Sequence, residues 1–283
     1  MREVDLFKDS KGYSISNIDL LNVLKDLEAD KCDVLYVHSA LNFGVPNPVL
    51  KRKELLSCLL EVFQALRVKT LCMPTFTFSF CNGRDYDPLN SPSKMGALNE
   101  FFRKQDGVLR SLDPLMSVAL CGEDIDLVKG IGHSSIGDNS TFDKLRHRDN
   151  VKFLFFGPKI GDCLTYMHYL EWLYCVDYRY DRVFRGNVVN DGLVSECEYN
   201  LFVRYNGVQP NTASYEYENM MYAQNRAFIK KMGDSSISIV DEKNASCSYR
   251  GCLEKDPYFF VDIKNTSFYK DRTFILDKEM IAL

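Results

Sequence analysis

A histidine and a glutamate three residues apart, His168 and Glu171, are the residues of this 283-residue chain best placed to do chemistry. The surrounding segment, 164–172, predicts a helix, on which such side chains project from one face. A carboxylate can then hold one imidazole nitrogen while the other nitrogen faces a substrate. The pair therefore predicts a general base and its orienting carboxylate. The structural alternative is a partly buried histidine beside a surface glutamate.

The sequence gives less support to other roles for His168. Cys163 lies five residues before His168, so a thiol–imidazole pair would need a distorted helix start, and buried thiols are usually inert. A metal would need further ligands; Asp162 and His133 would come close only through the tertiary fold, and we predict no metal. Neither G-x-x-x-x-G-K-[ST] nor G-x-G-x-x-G occurs, which argues against triphosphate and dinucleotide enzymes of those designs.

Composition and charge are those of a soluble globular protein. Hydrophobic residues make up 46% and charged residues 26%, while the net charge of −4 argues against nucleic acid as a partner. No apolar run approaches the ~18 residues that span a bilayer, and the first residues lack the apolar core of a secretory signal. Ten scattered cysteines predict reduced thiols. We therefore expect a cytoplasmic protein with no membrane partner.

The elements that position these residues follow an α/β pattern. Short apolar runs at 34–37, 70–73 and 151–156 predict buried strands, and each of the first two leads into a polar loop. Helices are predicted at 18–29, 53–66 and from Pro92 to about 103. The 151–156 strand ends at Gly157-Pro158, just before the His168 helix. Beyond 178 the pattern predicts antiparallel strands, a helix at about 215–232 and final short strands.

Six ordered blocks between about 34 and 182 resemble the aminoglycoside 3-N-acetyltransferase family, antibiotic N-acetyltransferases that use acetyl-CoA. The last block is Thr165-x-x-His168-x-x-Glu171. The other five are Val37-His38-Ser39-Ala40-Leu41; Met73-Pro74-Thr75-Phe76-Thr77; Ser91-Pro92-Ser93-Lys94-Met95-Gly96-Ala97-Leu98-Asn99-Glu100; Arg110-Ser111 with Pro114 and Ser117; and His133 with Gly137, Ser140 and Leu145.

The resemblance implies one domain, 1–283, built as a three-layer α/β/α sandwich with a mixed sheet and a smaller β-rich C-terminal part. Residues 1–180 would form the core with the coenzyme A site, and 181–283 the acceptor side. His168 matches the general base and Glu171 its orienting carboxylate, whose pairing should raise the pKa of the imidazole. We expect direct transfer without an acyl-enzyme. The residues implied to line the coenzyme A channel or the thioester end are His38, Ser39, Ala40, Thr75, Arg110, Ser111 and Ser117.

The acceptor side departs from the family pattern. Resistance enzymes usually read R-S-x-H-P-x-H-S, and here Asp113 and Met116 replace the two histidines. The motif with Asp113 resembles that of family members from surface-glycan pathways. We therefore expect an amino-dideoxy sugar as acceptor, either nucleotide-linked or free. Asp113, His133 and Tyr178 are the predicted acceptor contacts. The alternatives are aminoglycoside resistance, an inactive coenzyme A-binding protein and a Cys163 acyl-enzyme; a homodimer stays open.

Overall fold

The computed structural model describes residues 1–205 and 208–262, which form eight helices, fourteen strands and two short 3-10 turns. The strands are β1 Asp5–Lys8, β2 Ser14–Ser16, β3 Val34–Ser39, β4 Val45–Pro46, β5 Thr70–Pro74, β6 Leu109–Arg110, β7 Val118–Gly122, β8 Val151–Phe156, β9 Arg179–Asn190, β10 Leu193–Arg204, β11 Gln209–Pro210, β12 Ala227–Met232, β13 Ser235–Asp241 and β14 Val261–Asp262. The helices are α1 Asn17–Asp26, α2 Arg52–Gln64, α3 Ala97–Phe102, α4 Thr141–Arg146, α5 Ile160–Cys163, α6 Tyr166–Leu173, α7 Ala213–Ala223 and α8 Glu242–Lys255. None of the described helices is long and apolar enough to cross a bilayer.

A seven-stranded mixed sheet, in the order β12-β13-β8-β3-β5-β7-β6, forms the centre of the molecule. Strand β3 pairs in parallel with β5 and β8, and the outer pairs are antiparallel. Because β3, β5 and β8 run in the same direction, their carboxyl ends meet at one edge of the sheet. The residues that follow these strands, Ala40, Thr75 and Gly157, therefore lie along that edge.

Helices cover both faces of the sheet. Alternate residues of β3 enter two cores: Leu35 and Val37 pack with α1 and α2, while Tyr36 packs with α4, α6, α7 and α8. The continuous apolar runs predicted as strands are thus buried on both sides, which is typical of parallel strands in α/β proteins. The predicted three-layer α/β/α sandwich with a mixed sheet is confirmed.

The second half of the chain is less separate than expected. Strands β12 and β13 extend the main sheet, and α7 and α8 share a core with residues from the first half. Strands β9 and β10 form a separate two-stranded ribbon that packs on the same core, paired from Arg179↔Arg204 to Asn190↔Leu193. Its two-residue turn, Asp191-Gly192, has positive φ at both positions, as such hairpin turns require. The open end of the ribbon lies next to α6.

Three predicted elements differ from the structure. The helix expected from Pro92 begins only at Ala97, after Gly96 at φ 99°. The helix expected at 215–232 ends at Ala223, and β12 follows as an edge strand; Asn225, at φ 53°, lies between them. The region of predicted final short strands contains the fourteen-residue helix α8.

Candidate active site

His168 and Glu171 lie on α6 and contact each other directly. The Nδ1 atom of His168 is 2.8 Å from Oε2 of Glu171, as their spacing on one helix predicts. The His168 side chain is 40% exposed, whereas that of Glu171 is 5% exposed. Within the described part of the chain, Nε2 of His168 has no hydrogen-bonding partner. One nitrogen is therefore held from inside and the other is open to a ligand.

Two residues beyond α6 hold the Glu171 carboxylate. The hydroxyl of Tyr178 donates to Oε1 at 3.0 Å. Nε of Arg179 lies 2.8 Å from Oε2, an ion pair in which the N–H is not aligned for a hydrogen bond. Although burial by itself raises the pKa of Glu171, Arg179, His168 and Tyr178 together lower it to about 2. Glu171 is therefore an ionised carboxylate at neutral pH.

Arg179 also contacts the imidazole. Its side chain is 8% exposed, Nη1 donates to the carbonyl of Phe202 at 3.0 Å, and Nη2 lies 3.0 Å from Nδ1 of His168. A neutral imidazole carries one proton, and an ionised carboxylate can only accept. The contact with Glu171 therefore requires the proton on Nδ1, which leaves Nε2 basic. The contact with Arg179 favours the opposite tautomer, with Nε2 protonated.

The predicted direction of the His168 pKa shift is wrong. Partial burial of the ring and the Arg179 guanidinium both lower the pKa of His168, and the contact with Glu171 only partly offsets these two effects. Helical spacing reveals Glu171 as a neighbour of the imidazole, whereas Arg179 lies eleven residues further along the chain. A lowered pKa keeps the imidazole neutral and able to accept a proton over a wider range of pH.

Arg204 is a second guanidinium beside this pair that sequence reasoning missed. It lies directly opposite Arg179 in the ribbon, so both side chains leave the same face. It is close enough to lower the pKa of His168 and to interact with Glu171. The signal that could have located it is the strand pairing, which places residues 179 and 204 at the open end of one hairpin.

Four predicted coenzyme A residues, Thr75, Arg110, Ser111 and Ser117, are brought together where β5 and β6 end and β7 begins. Arg110 donates to the carbonyls of Ser91 (2.5 Å), Pro88 (3.2 Å) and Thr75 (2.5 Å), and to the Thr75 hydroxyl at 3.1 Å. The Ser117 hydroxyl donates to the Thr75 carbonyl at 2.9 Å.

This Arg110 cluster holds a loop onto the sheet edge. The Ser111 hydroxyl accepts from the amide of Val118 at 3.1 Å, and the Arg110 guanidinium lies 5.2 Å from the Tyr86 ring centroid. The Arg110 guanidinium thus donates to acceptors of the protein itself. Its predicted contact with a phosphate or pantetheine carbonyl stays a prediction.

The predicted residues at the end of β3 lie at the sheet edge. The Ser39 hydroxyl donates to Oδ1 of Asn99 at 2.6 Å, and the Ala40 amide donates to the Phe156 carbonyl at 2.9 Å. His38 stacks on Phe155, and burial lowers its pKa to about 3. Its buried Nε2 has no partner among the described residues. His38 is therefore a neutral, buried group with one polar atom unsatisfied.

The predicted acceptor residues have different surroundings. Asp113 is 4% exposed, and its Oδ1 accepts from the amides of Leu115 and Met116 and from the Ser135 hydroxyl, so it holds two loops together. His133 is exposed and stacks on Tyr199 with ring centroids 4.6 Å apart. Tyr178 is fully buried, and its hydroxyl donates to Glu171, so its predicted contact with an acceptor stays a prediction.

Among the described residues, neither the Cys163 thiol nor a cluster of metal ligands offers a second catalytic group. Burial raises the pKa of Cys163 far above its ordinary value, so its thiol stays protonated. Residues 1–205 and 208–262 hold no group of three or more potential metal ligands. A cavity of about 410 Å³ is lined by Val151 and Lys243, at the amino end of β8 and so away from the edge that α5 and α6 follow.

The site combines a partly exposed imidazole held by a buried carboxylate with a helix that follows the carboxyl edge of an α/β/α sandwich, an arrangement able to accept a proton from a ligand. The model for the aminoglycoside 3-N-acetyltransferase family matches residues 37–246. The chain therefore belongs to that family. It is an N-acetyltransferase with acetyl-CoA as acetyl donor.

Solved structures share this fold. The aminoglycoside acetyltransferase AAC(3)-Xa superposes with a TM-score of 0.72 at 16% identity, covering 85% of this chain and 93% of its own. A histidine-to-alanine mutant of AAC(3)-IVa in complex with a gentamicin gives 0.68 at 18% identity, covering 92% and 93%. AAC-IIIb with CoASH gives 0.68 at 19% identity, covering 84% and 96%. No curated protein matches the chain in sequence.

Proposed function

We propose that this protein acetylates the amino group of an amino sugar by direct transfer from acetyl-CoA, with His168 as the general base. The observation that supports the proposal is the arrangement of the imidazole. Glu171, anchored by Tyr178 and Arg179, holds Nδ1, while Nε2 is open. Because the pKa of Cys163 is strongly raised, an acyl-enzyme on that thiol is disfavoured.

The residues around His168 account for the proton transfers. An acceptor amine is largely protonated at neutral pH, and its neutral form still carries a proton that must leave during attack. Nε2 of His168 accepts that proton, and Glu171 stabilises the imidazolium. Acetyl-CoA supplies the activated acetyl group, whose C–S bond breaks as the N–C bond forms. Nε2 then returns the proton to the departing sulfur, so the step from the neutral amine neither gains nor loses a proton. The extra proton of the ammonium form leaves to solvent before attack.

The sheet edge offers features that fit a bound thioester. The orphaned Nε2 of His38 is a buried polar atom at the carboxyl end of β3, and buried polar groups without a partner are rare. Asn99 binds both the Ser39 hydroxyl and the Pro74 carbonyl, which fixes the ends of β3 and β5. AAC-IIIb, of similar fold, was solved with CoASH. We therefore place the acetyl end of the donor between this edge and His168.

For the acceptor we propose a nucleotide-linked amino-dideoxy sugar of glycan biosynthesis. Asp113 and Met116 stand where resistance enzymes carry histidines, and Asp113 is committed to its own loop. The second candidate is an aminoglycoside, which the family and the gentamicin complex of AAC(3)-IVa favour. Both candidates are small amino sugars, and they differ in charge: one is anionic through its phosphates and the other is polycationic.

A panel assay tests the proposal. The protein is incubated with acetyl-CoA and either a nucleotide-linked amino sugar, the matching free amino sugar or a 2-deoxystreptamine drug. Thiol release and the mass of the product amine are followed. The expected result is a gain of one acetyl group on the nucleotide-linked amine. Transfer to the drug alone would support the second candidate, and transfer to none of the three would contradict the proposal.

A further inference from the structure

The open end of the β9–β10 ribbon carries more positive than negative charge. Arg179 and Arg204 face the same side as a directly opposed cross-strand pair, an arrangement in which like charges repel. Glu171 is the carboxylate that both guanidiniums interact with. Since His168 is neutral near pH 7, two cations meet one anion here, and within residues 1–205 and 208–262 one positive charge is uncompensated.

The two arginines differ in how their donors are used. Arg179 is 8% exposed and contacts Glu171, His168 and the Phe202 carbonyl. Arg204 is partly buried, and its guanidinium has no hydrogen-bond or ion-pair partner within residues 1–205 and 208–262. The positive charge available to a ligand is therefore that of Arg204.

Two acidic residues near Arg204 in the described part of the chain, Glu171 and Asp181, do not form an ion pair with it. Glu171 is shared between Arg179 and His168, so its oxygens are already occupied. Asp181 lies two residues along the same face, and burial raises its pKa, which favours its neutral form. A partly buried cation costs free energy unless an anion pairs with it, so a bound anion would stabilise Arg204.

We propose that Arg204 forms an anion subsite beside the catalytic base and binds a phosphoryl group of the acceptor. A guanidinium fork matches phosphate oxygens in a bidentate way, and partial burial strengthens the contact. The inference rests on the proposed function, because it assigns the acceptor of that site: a phosphorylated amino sugar, either a sugar phosphate or a nucleoside diphosphate sugar. The same charge disfavours a polycationic aminoglycoside.

Binding measurements test the subsite separately from catalysis. Calorimetry uses the full chain saturated with CoA, so that the donor site is occupied, and titrates UDP and inorganic pyrophosphate as probes. We expect both to bind, and Arg204→Gln to weaken them about tenfold or more. The matched control is Arg185→Gln, which removes the same charge from an exposed position of the same ribbon and should leave binding unchanged. Tighter binding of UDP than of pyrophosphate to the wild type would indicate a nucleotide-linked acceptor; equal affinities would indicate a sugar phosphate.

Other outcomes separate the two proposals. Equal UDP and pyrophosphate affinity in the wild type and Arg204→Gln, or no binding of either, would overturn the subsite. The thermal midpoint of Arg204→Gln should not fall, because an unpaired charge is removed; a large fall would indicate a structural role instead. His168→Gln should bind UDP normally and lose acetyl transfer. If that variant transfers acetyl normally while the UDP results hold, the proposed catalysis fails and the subsite stands.

Discussion

Two arginine-containing regions of this molecule, the Arg110 cluster on β5–β7 and the His168 site at the open end of the ribbon, use similar groups differently. Arg110 donates to the carbonyls of Thr75, Pro88 and Ser91 and to the hydroxyls of Thr75 and Ser117. Around His168, the Glu171 carboxylate orients the imidazole through Nδ1. Nε2 and the Arg204 guanidinium lack partners in the described residues. The comparison indicates that an arginine whose donors have protein partners stabilises the fold, whereas polar groups without partners beside a held imidazole indicate a catalytic site.

The largest effect is expected from replacing His168, and it distinguishes a catalytic role of this residue from a structural one. His168→Gln should lower kcat by roughly 10²–10⁴-fold, because general-base catalysis is lost, and leave the thermal midpoint and CoA affinity unchanged. His147→Gln is the matched control, since the His147 side chain is 74% exposed on the surface. Steady-state acetyl transfer by both variants measures this, and unaffected turnover in His168→Gln would remove the base assignment.

The Arg110 cluster should show the reverse pattern. Arg110→Met removes the guanidinium donor from the Pro88 and Ser91 carbonyls and one of the two donors of the Thr75 carbonyl, which keeps the Ser117 hydroxyl. The free energy of unfolding should therefore fall by roughly 2–4 kcal/mol. Urea denaturation measures the loss. Arg185→Met, at an exposed ion pair, should change it by less than about 1 kcal/mol. An unchanged stability of Arg110→Met with a raised KM for acetyl-CoA would instead support the predicted donor contact.

A smaller effect concerns the pH profile. Arg179 lowers the pKa of His168, so Arg179→Gln should raise that pKa and move the acidic limb of kcat/KM to higher pH. The acceptor amine titrates identically in both enzymes, so the difference reports on the protein. Arg179→Lys keeps the charge and should move the limb less. A limb that stays in place in Arg179→Gln would mean that Arg179 does not act on the base.

Much of the fold follows from the sequence where one local pattern decides the element. The strands β3, β5 and β8 are continuous apolar runs buried on both faces, and α6 places His168 and Glu171 by helical spacing alone. The edge strand β12 falls within a predicted helix, because four of its six residues are exposed and it has no buried-strand pattern. Its pairing with β13 decides its structure.

The candidate site was only half predictable for the same reason. Arg179 reaches His168 through the turn after α6, and Arg204 arrives through the register of a hairpin across 25 residues of chain. No local spacing encodes either contact, so the positive charge at the base and the lowered pKa of His168 were both missed. Arg110, by contrast, was found through its motif, but its partners are backbone carbonyls that no motif displays.

The most direct test of the account is the protonation state of His168 itself. The chain has four histidines, so ¹⁵N NMR of the imidazoles near pH 7, assigned with His168→Gln, can resolve this ring. The account predicts a neutral ring with the proton on Nδ1, held by Glu171, and a bare Nε2; in Glu171→Gln this preference should weaken. A ring protonated on Nε2, or an imidazolium at this pH, would contradict His168 as the base.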